Sequence, residues 1–224
     1  MCGNNKSLMV DLTLFCLMLY FVKSPLWLQR LFPQRVWKMH GQEKKIYLSF
    51  DDGPHPVNTP FILDYLLQYN AKATFFCIGR NVKKYPDVYQ RILNEGHSVG
   101  NHTFNHLNGK KTNDKDYLED VAAAGACMET NLFRPPYGRL TAFQAKLLME
   151  LNRPYKIIMW TVLSGDFDPG ISKKRCLENV LLNTGKGSVV VFHDSDKAAE
   201  KLQYVLPLTL ETFSQKGYAF ERIT

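Results

Sequence analysis

Several signals that mark common protein classes are missing from this chain of 224 residues. No Gly-x-Gly-x-x-Gly segment follows any predicted strand, so dinucleotide binding has no support. The formal net charge is +7, yet there is no zinc-finger spacing and no basic strand interleaved with aromatic residues, which argues against nucleic-acid binding. We also find no internal repeat. The charge instead suits an anionic membrane surface, an anionic cell-wall polymer or a plain solvated surface.

Cysteine is too sparse and too scattered to form a disulfide framework. The five cysteines are odd in number, widely spaced and mostly in apolar contexts, and no two form a Cys-x-x-Cys pair. We therefore expect free thiols. Free thiols favour a reducing compartment, which keeps a cytoplasmic location open.

An apolar run long enough to cross a membrane is also missing. Leu8 to Val22 is a nearly continuous apolar run interrupted by Asp11, but at about fifteen residues it is shorter than the roughly 20 that a helical span needs. Only Lys6 precedes the run, and no convincing small-residue cleavage site follows it. The support for a signal peptide is therefore weak.

The beginning of the chain allows three interpretations. Residues 25–38 mix aromatic and basic side chains in the way that is typical of a bilayer interface. The segment is an uncleaved anchor, a packing arm, or sequence upstream of a natural start at Met18. We assign residues 1–40 as an N-terminal arm or membrane anchor, with membrane-surface contact through residues 8–38, and residues 41–224 as the main domain, which contains every candidate site residue named below. A membrane-associated or cell-envelope location follows from this assignment.

After Gly41, segments of strand and helix character alternate about seven times. Alternation at this spacing implies parallel strands joined by crossover helices. The strand segments are apolar throughout, as strands buried on both faces are. The sequence therefore predicts an α/β fold, a distorted or incomplete (β/α) barrel of about seven parallel strands. The predicted strands are 46–50, 73–78, 97–101, 132–133, 156–162, 188–192 and 218–223.

Local signals refine the predicted helices between these strands. Thr59 and Thr141 stand where helix caps are expected, each just ahead of an apolar helical pattern. Residues 114–130 are predicted to form one helix. Pro207 is expected to kink or divide the helix over residues 201–215, because proline cannot donate a backbone hydrogen bond.

Two short segments about fifty residues apart carry the residue types of a metal site. Asp51 and Asp52 leave the first predicted strand side by side and point in different directions, so one can bind a metal while the other serves as a base. His102 and His106 are four residues apart and would share one face of a helical turn. With Asp52 they offer two nitrogens and one oxygen, which suits Zn²⁺, Co²⁺ or another divalent ion. Taken singly, the same residues also suit a surface turn and two surface histidines.

Three further segments place charged side chains at predicted strand ends. Arg134 lies in a proline-stiffened turn, where a buried guanidinium would keep a neighbouring carboxylate ionised. His193 ends an apolar strand and suits a general acid, because its charge changes near neutral pH. Asp166 follows another strand and is placed to hold that imidazole and raise its pKa. In a barrel of this class, chemistry gathers at the carboxyl ends of the strands, where all of these residues fall.

Five segments in this order resemble the polysaccharide deacetylase family, which is carbohydrate esterase family four and is also called the nodulation-deacetylase (NodB) homology domain. The resemblance runs from about Lys45 to the C-terminus, and its first two segments are the most specific. The segments are SFDDGP (49–54), HTFNH (102–106), RPPY (134–137), LSGDF (163–167) and VFH (191–193).

The resemblance implies a distorted barrel that hydrolyses the acetyl group of an N-acetylated sugar. It implies Asp51 as the catalytic base, oriented by Arg134. It also implies that the backbone N–H of Tyr137 stabilises the oxyanion and that His193, tuned by Asp166, protonates the leaving amine. The implied metal ligands are Asp52, His102 and His106.

Four positions depart from the usual family pattern. Ser49 replaces a threonine, Leu163 a frequent aspartate, Phe167 a frequent tryptophan and Val191 a frequent leucine near the acetyl methyl group. These changes affect the shape of the acetyl pocket, whereas the metal and base residues are unchanged. They therefore bear on the substrate more than on the chemistry.

From these features we expect a metal-dependent N-deacetylase whose partner is an acetylated, N-acetylglucosamine-containing glycan, either peptidoglycan or a chitin-like oligomer. One alternative is an O-acetyl esterase of the xylan type, because amide and ester hydrolysis pass through the same oxyanion. A second is a non-catalytic glycan-binding protein that kept the fold, and a third is a small amidase acting on a non-sugar substrate. A cell-wall substrate favours a location outside the cytoplasm.

Overall fold

Strands and helices alternate along the part of the chain that the structure describes. This computed structural model describes residues 20–224, so the predictions for residues 1–19, including the start at Met18, lie outside the described residues. The strands are β1 (Lys45–Asp51), β2 (Ala73–Cys77), β3 (Ser98–Asn101), β4 (Leu132–Phe133), β5 (Lys156–Ile157), β6 (Val162–Leu163), β7 (Val189–His193) and β8 (Ala219–Phe220). The helices are α1 (Leu26–Leu31), α2 (Asn58–Gln68), α3 (Gly79–Lys84), α4 (Pro86–Asn94), α5 (Asp114–Gly125), α6 (Ala142–Glu150), α7 (Lys173–Asn183) and α8 (Ala199–Gln215).

Seven of the strands form a curled, open sheet in which every neighbouring pair is parallel. The order across the sheet is β5-β4-β3-β2-β1-β7-β6, and the short β8 pairs with β1 beside this path. β5 and β6 lie at the two ends and do not pair with each other within the described chain. The predicted fold class, an incomplete (β/α) barrel of about seven parallel strands, is therefore confirmed.

The core is built on the central strand β1. The ring of Phe50 on β1 stacks on Phe75 of β2 and on Phe192 of β7, with centroids 5.1 Å and 5.9 Å apart. All three side chains are buried. Each buried aromatic side chain removes roughly 150 to 250 Å² of surface from water, so this stack strongly favours one arrangement of the three strands. Two of these strands, β1 and β7, end at the predicted site residues Asp51 and His193.

The prediction of one strand over residues 156–162 is wrong, because the structure has two short strands at opposite ends of the sheet. β5 pairs with β4, whereas β6 pairs with β7. Residues 158–161 cross the opening between them. Ile158 N–H still donates to the Phe133 carbonyl of β4 and Thr161 N–H to the Val189 carbonyl of β7, whereas other backbone groups of this segment bond to the N-terminal arm. Met159 N–H donates to the Val36 carbonyl at 2.7 Å, and Ser24 N–H donates to the Thr161 carbonyl at 2.9 Å.

The described part of the N-terminal arm lines both free edges of the barrel. Lys23 forms an antiparallel bridge with Val162 beside β6, and Val36 forms a parallel bridge with Ile158 beside β5. Trp37 is only 6% exposed and packs in a cluster with side chains of α5, β4 and α6. Residues 22–37 therefore occupy the gap that the strands leave open.

Among residues 20–224, none of the helices combines the length and the apolar character that a membrane span requires.

Some local helix predictions hold, and others are corrected by tertiary contacts. Thr141 caps α6 through a capping box, as expected. α5 ends at Gly125 rather than at residue 130, because the Thr130 hydroxyl bonds to the Val99 carbonyl of β3. α8 runs undivided through Pro207. A proline removes only one backbone hydrogen-bond donor from a helix, and the packing of the buried face of α8 stabilises the remaining turns.

The start of α2 is capped by a histidine and not by Thr59. The Nδ1 atom of His55 accepts the N–H groups of Val57 at 3.2 Å and of Asn58 at 3.1 Å, where the helix begins. The Thr59 hydroxyl instead accepts the His55 N–H at 2.7 Å and donates to Asp194. Thr59 therefore ties α2 to the end of β7 rather than capping the helix.

Candidate active site

The strand register brings the predicted site residues to one edge of the sheet. Asp51 at the end of β1 stands opposite His193 at the end of β7. Arg134 directly follows β4, and Asp166 follows β6 after a two-residue turn. Because all these strands are parallel, their carboxyl ends share one face, which is where barrels of this class carry their chemistry.

Asp52, His102 and His106 converge as a candidate metal centre. The Asp52 Oδ1 atom lies 3.1 Å from His106 Nε2 and 3.7 Å from His102 Nε2. One ligand atom from each side chain lies within 4.8 Å of the other two. Two nitrogens and one carboxylate oxygen at this spacing fit a divalent ion with an open coordination position.

The protonation states of His102 and Asp52 favour metal binding. The His102 Nδ1 atom lies 2.7 Å from the Arg134 carbonyl, which directs Nε2 towards Asp52. Burial lowers the pKa of His102 to about 4, so its imidazole is neutral and offers a lone pair. Burial alone would raise the pKa of Asp52, but the His106 hydrogen bond and the nearby imidazoles outweigh that effect and lower it. The carboxylate is therefore ionised.

The two histidines meet through a loop and not through the helical turn that their spacing suggests. Residues 102–107 are neither helix nor strand. Thr103 and His106 have φ values of +63° and +62°, which is uncommon for residues other than glycine. These two left-handed residues curl the loop so that the imidazole centroids lie 5.1 Å apart. The prediction of a shared helical face is wrong, although the ligand pairing it was meant to explain is present.

Asp120, which the sequence reasoning missed, holds this loop in place. Its carboxylate accepts the N–H groups of Phe104 and Asn105, each at 2.9 Å, and the Asn105 side-chain amide at 2.6 Å. The Thr103 N–H donates to Asn101 Oδ1 at 2.8 Å. These bonds stabilise a strained backbone. The sequence shows Asp120 only as one acid within a helical segment, and its burial on α5 is evident only in the structure.

Asp51 is held by a fully buried arginine. Arg134 Nη1 lies 2.7 Å from Asp51 Oδ1 and 2.8 Å from the Ser49 hydroxyl, and Ser49 in turn donates to the Val190 carbonyl at 3.0 Å. Arg134 also donates to two carbonyls of residues 158–159. Burial lowers the pKa of Arg134, although its pairing with Asp51 opposes that shift. The departure at Ser49 is accommodated because a serine hydroxyl still links β1, β7 and the guanidinium.

His193 forms an ion pair with a buried carboxylate. Its Nδ1 atom lies 2.8 Å from Asp166 Oδ1, and its backbone N–H donates to Asp166 Oδ2 at 2.7 Å. Burial would lower the pKa of His193, but the charge and hydrogen bond of Asp166, with smaller contributions from Asp52 and Asp51, raise it to about 10. His193 is therefore an imidazolium at neutral pH, with a proton to give.

Comparison with known proteins assigns this site to a family. A family model described as polysaccharide deacetylase matches residues 38–154, which is more than half of the chain. The chain belongs to the polysaccharide deacetylase family. The match covers the segments that contain Asp51, the three candidate metal ligands and Arg134.

Individual relatives in the family are similar over most of the chain. A peptidoglycan-N-acetylglucosamine deacetylase of Bacillus cereus is 40% identical over 67% of this chain, and the match spans 56% of that protein's own length. A chitooligosaccharide deacetylase of Azorhizobium caulinodans is 34% identical over 80% of this chain and 92% of its own. A crystal structure of a peptidoglycan N-acetylglucosamine deacetylase superimposes with a TM-score of 0.79 at 33% identity, covering 85% of this chain and 91% of that one.

Two further family positions have a defined place in the structure. Tyr137 lies in a short 3-10 turn with a φ of +59°, and its ring centroid is 4.7 Å from that of His106. The turn therefore places the Tyr137 side chain beside the candidate metal ligand His106. Phe167, the residue at the position of the frequent tryptophan, packs its ring 5.0 Å from the His193 imidazole.

A second buried acid that the sequence reasoning missed lies beneath the aspartate pair. Asp194 is fully buried, accepts a hydrogen bond from Thr59, and donates its N–H to the Asp51 carbonyl at 3.1 Å. A Cβ at Gly53 would lie 2.1 Å from Asp194 Oδ2, so this position requires glycine. Burial raises the pKa of Asp194 to about 7, and the nearby Asp52 and Asp51 add to the shift. Asp194 thus packs the turn after β1 against the end of β7.

Proposed function

We propose that this protein hydrolyses the N-acetyl group of an N-acetylglucosamine-containing glycan, either peptidoglycan or a chitin-like oligomer. One observation carries the proposal. A carboxylate held by a buried arginine, Asp51, stands opposite the protonated His193 on adjacent strands, and the candidate metal centre adjoins both. The relatives named as N-acetylglucosamine and chitooligosaccharide deacetylases support this substrate class.

The three converging side chains would hold the metal, and their donor set favours Zn²⁺, with Co²⁺ as a substitute. The ligands are Asp52, His102 and His106. When bound, such an ion would polarise the acetyl carbonyl and lower the pKa of a nearby water molecule.

The remaining steps belong to side chains and backbone groups of this chain. Asp51 accepts a proton from the attacking water, and Arg134 keeps that carboxylate oriented at 2.7 Å. As water adds to the acetyl carbon, the Tyr137 N–H donates to the developing oxyanion. The carbon–nitrogen bond then breaks, and His193 gives its proton to the departing amine. The products are acetate and a free amino sugar.

The direct test is acetate release from a panel of substrates by the zinc-reconstituted protein. We expect release from N-acetylated chitooligosaccharides or peptidoglycan fragments, with slower release from acetylated xylan. Faster release from the xylan ester would favour the O-acetyl esterase alternative. Binding of these glycans without acetate release would favour the non-catalytic alternative.

Metal binding is tested separately by elemental analysis of purified variants. We expect His106→Ala to lose most of its bound zinc, because it removes one of three ligands. His40→Ala is the matched control, since His40 is an exposed histidine outside the site. Equal zinc contents in the two variants would contradict the assigned ligand set.

The exposed side of the N-terminal arm supports a second proposal, that the protein contacts an anionic membrane surface at the cell envelope. Leu26, Trp27, Arg30 and Leu31 share the outward face of α1, and the ring of Phe21 packs on Trp27 at 6.2 Å. An apolar face with an aromatic pair and an exposed cation is typical of segments that lie in a bilayer interface.

A further inference from the structure

Tyr20 brings the N-terminal arm to the catalytic face of the barrel. The Val22 carbonyl accepts the Leu163 N–H at 2.8 Å, and Lys23 pairs with Val162 in the antiparallel sense. Because β6 runs towards the catalytic face, the arm traced back towards its beginning runs the same way. Tyr20 therefore arrives at the carboxyl end of β6, where the loop over residues 165–168 begins.

The Tyr20 side chain contacts this loop at two points. Its ring lies 5.3 Å from the ring of Phe167, which in turn packs 5.0 Å from the His193 imidazole. Its hydroxyl donates to Asp168 Oδ2 at 3.0 Å, and the other oxygen of Asp168 accepts the Gly170 N–H at 2.8 Å. One side chain of the arm thus fixes both an aromatic neighbour of His193 and the far end of the loop.

The backbone of the loop is shaped to fit beneath the Tyr20 hydroxyl. Gly165 has a φ of +79°, and a Cβ at this position would lie 2.6 Å from the Tyr20 oxygen. The next residue is Asp166, whose carboxylate accepts both the backbone N–H and the Nδ1–H of His193. Burial and the Asp168 hydrogen bond raise the pKa of Tyr20, so its hydroxyl stays a donor.

We propose that Tyr20 is a positioning residue of the active site, which acts by holding Phe167 and the Asp166 loop against His193. This inference rests on the proposed role of His193 as the acid that protonates the leaving amine. It makes the N-terminal arm part of the catalytic unit. Tyr20 itself is not required to touch the substrate.

Kinetics of two Tyr20 variants and a matched control test the proposal. Tyr20→Ala removes both contacts and is expected to lower kcat about tenfold or more, with a smaller change in KM, because misplaced catalytic groups cost rate more than binding. Tyr20→Phe keeps the ring contact with Phe167, so its kcat should stay much closer to the wild-type value than the kcat of Tyr20→Ala does. Tyr204→Ala is the control, since it removes a tyrosine that is 43% exposed on α8. A wild-type kcat in Tyr20→Ala would overturn the proposal.

A double-mutant cycle shows whether Tyr20 acts through His193. In a His193→Ala background, Tyr20→Ala should lower kcat by less than twofold, since the group it positions is already gone. The same tenfold loss in both backgrounds would show a general structural effect and would overturn the assigned role.

An NMR readout separates this inference from the proposed function. The His193 ring signals, identified by their loss in His193→Ala, should shift in Tyr20→Ala and not in Tyr204→Ala. If no glycan is deacetylated but these signals shift, the proposed function fails and the contact stands. If acetate is released but the His193 signals and kcat are unchanged in Tyr20→Ala, the positioning role fails alone.

Discussion

The candidate site and the N-terminal arm differ in how their side chains are buried. In the site, Arg134 is fully buried and His102 is 2% exposed, and each has several polar contacts. In the arm, two tryptophans ten residues apart differ sharply, because Trp37 is 6% exposed and Trp27 is 60% exposed. The site consists of charged and imidazole side chains, and these residue types already suggested a functional site in the sequence. In the arm, residue type says little, and only the packing distinguishes a core residue from a surface one.

The largest expected effect lies in the site. Asp51→Asn should lower kcat by about 10³-fold or more, because an amide cannot accept the proton that the carboxylate takes from water. Bound zinc should stay near the wild-type level, since Asp51 is not one of the converging ligands. Rates and elemental analysis on one protein batch provide the measurement.

Asp52→Asn is the natural partner for this test. It changes the neighbouring carboxylate, which lies 3.1 Å from His106 Nε2, and should lose zinc as well as activity. If Asp51→Asn lost its metal and Asp52→Asn kept it, the roles of the two aspartates would have to be exchanged.

The second prediction uses the two tryptophans of the arm. Trp37→Ala should lower the free energy of unfolding by about 3 to 5 kcal/mol, because it leaves a large cavity among the side chains of α5, β4 and α6. Trp27→Ala should change it by less than about 0.5 kcal/mol, as exposed positions usually do. Denaturant titrations of the two variants provide the comparison, and similar losses in both would show that the arm does not pack as described.

The sequence was informative about the site because most of the predicted residues lie at or just after the end of a strand. Alternating elements and short motifs were enough to place Asp51, Arg134 and His193 on one face. The register of the parallel strands then sets which of these residues stand opposite each other, as Asp51 and His193 do. What could not be foreseen was the local backbone. The φ of +62° at His106 belongs to a loop whose Phe104 and Asn105 N–H groups donate to Asp120, which lies in a different element.

Contacts distant in sequence account for the remaining errors. Residues 156–162 have the composition of one strand, and nothing in them shows that the barrel opens at this point. Between the two short strands, Met159 bonds to Val36 and Thr161 bonds to Ser24, two arm residues whose own neighbours suggested a membrane interface. Because β5 pairs with β4 and β6 pairs with β7, the division of this segment is set by strands at opposite ends of the sheet, and the arm bonds to the residues between them.

The third prediction concerns the pH dependence of the site. Asp166 holds the pKa of His193 up at about 10, so the alkaline limb of the wild-type kcat profile should lie at strongly alkaline pH, where the acid loses its proton. Asp166→Asn removes the opposing charge, lowers that pKa, and should move the alkaline limb to lower pH by about one unit or more. Asp196→Asn is the control, because Asp196 is 90% exposed and pairs with His55 instead. An alkaline limb that stays in place in Asp166→Asn would remove His193 as the titrating acid.

The smallest expected effect lies on the exposed face of the arm. Binding to vesicles of phosphatidylglycerol and phosphatidylcholine should exceed binding to phosphatidylcholine alone, because Lys23 and Arg30 are exposed cations beside the apolar side chains. Trp27→Ser should weaken binding to both vesicle types, whereas Arg30→Gln should weaken only the anionic preference, by about fivefold for a contribution near 1 kcal/mol per basic residue. Leu182→Ser is the control, since Leu182 is an apolar residue, 77% exposed, on α7 and outside the arm. Equal losses in Trp27→Ser and Leu182→Ser would mean that the exposed face of the arm is ordinary surface and that the whole of the arm's described role is to close the barrel.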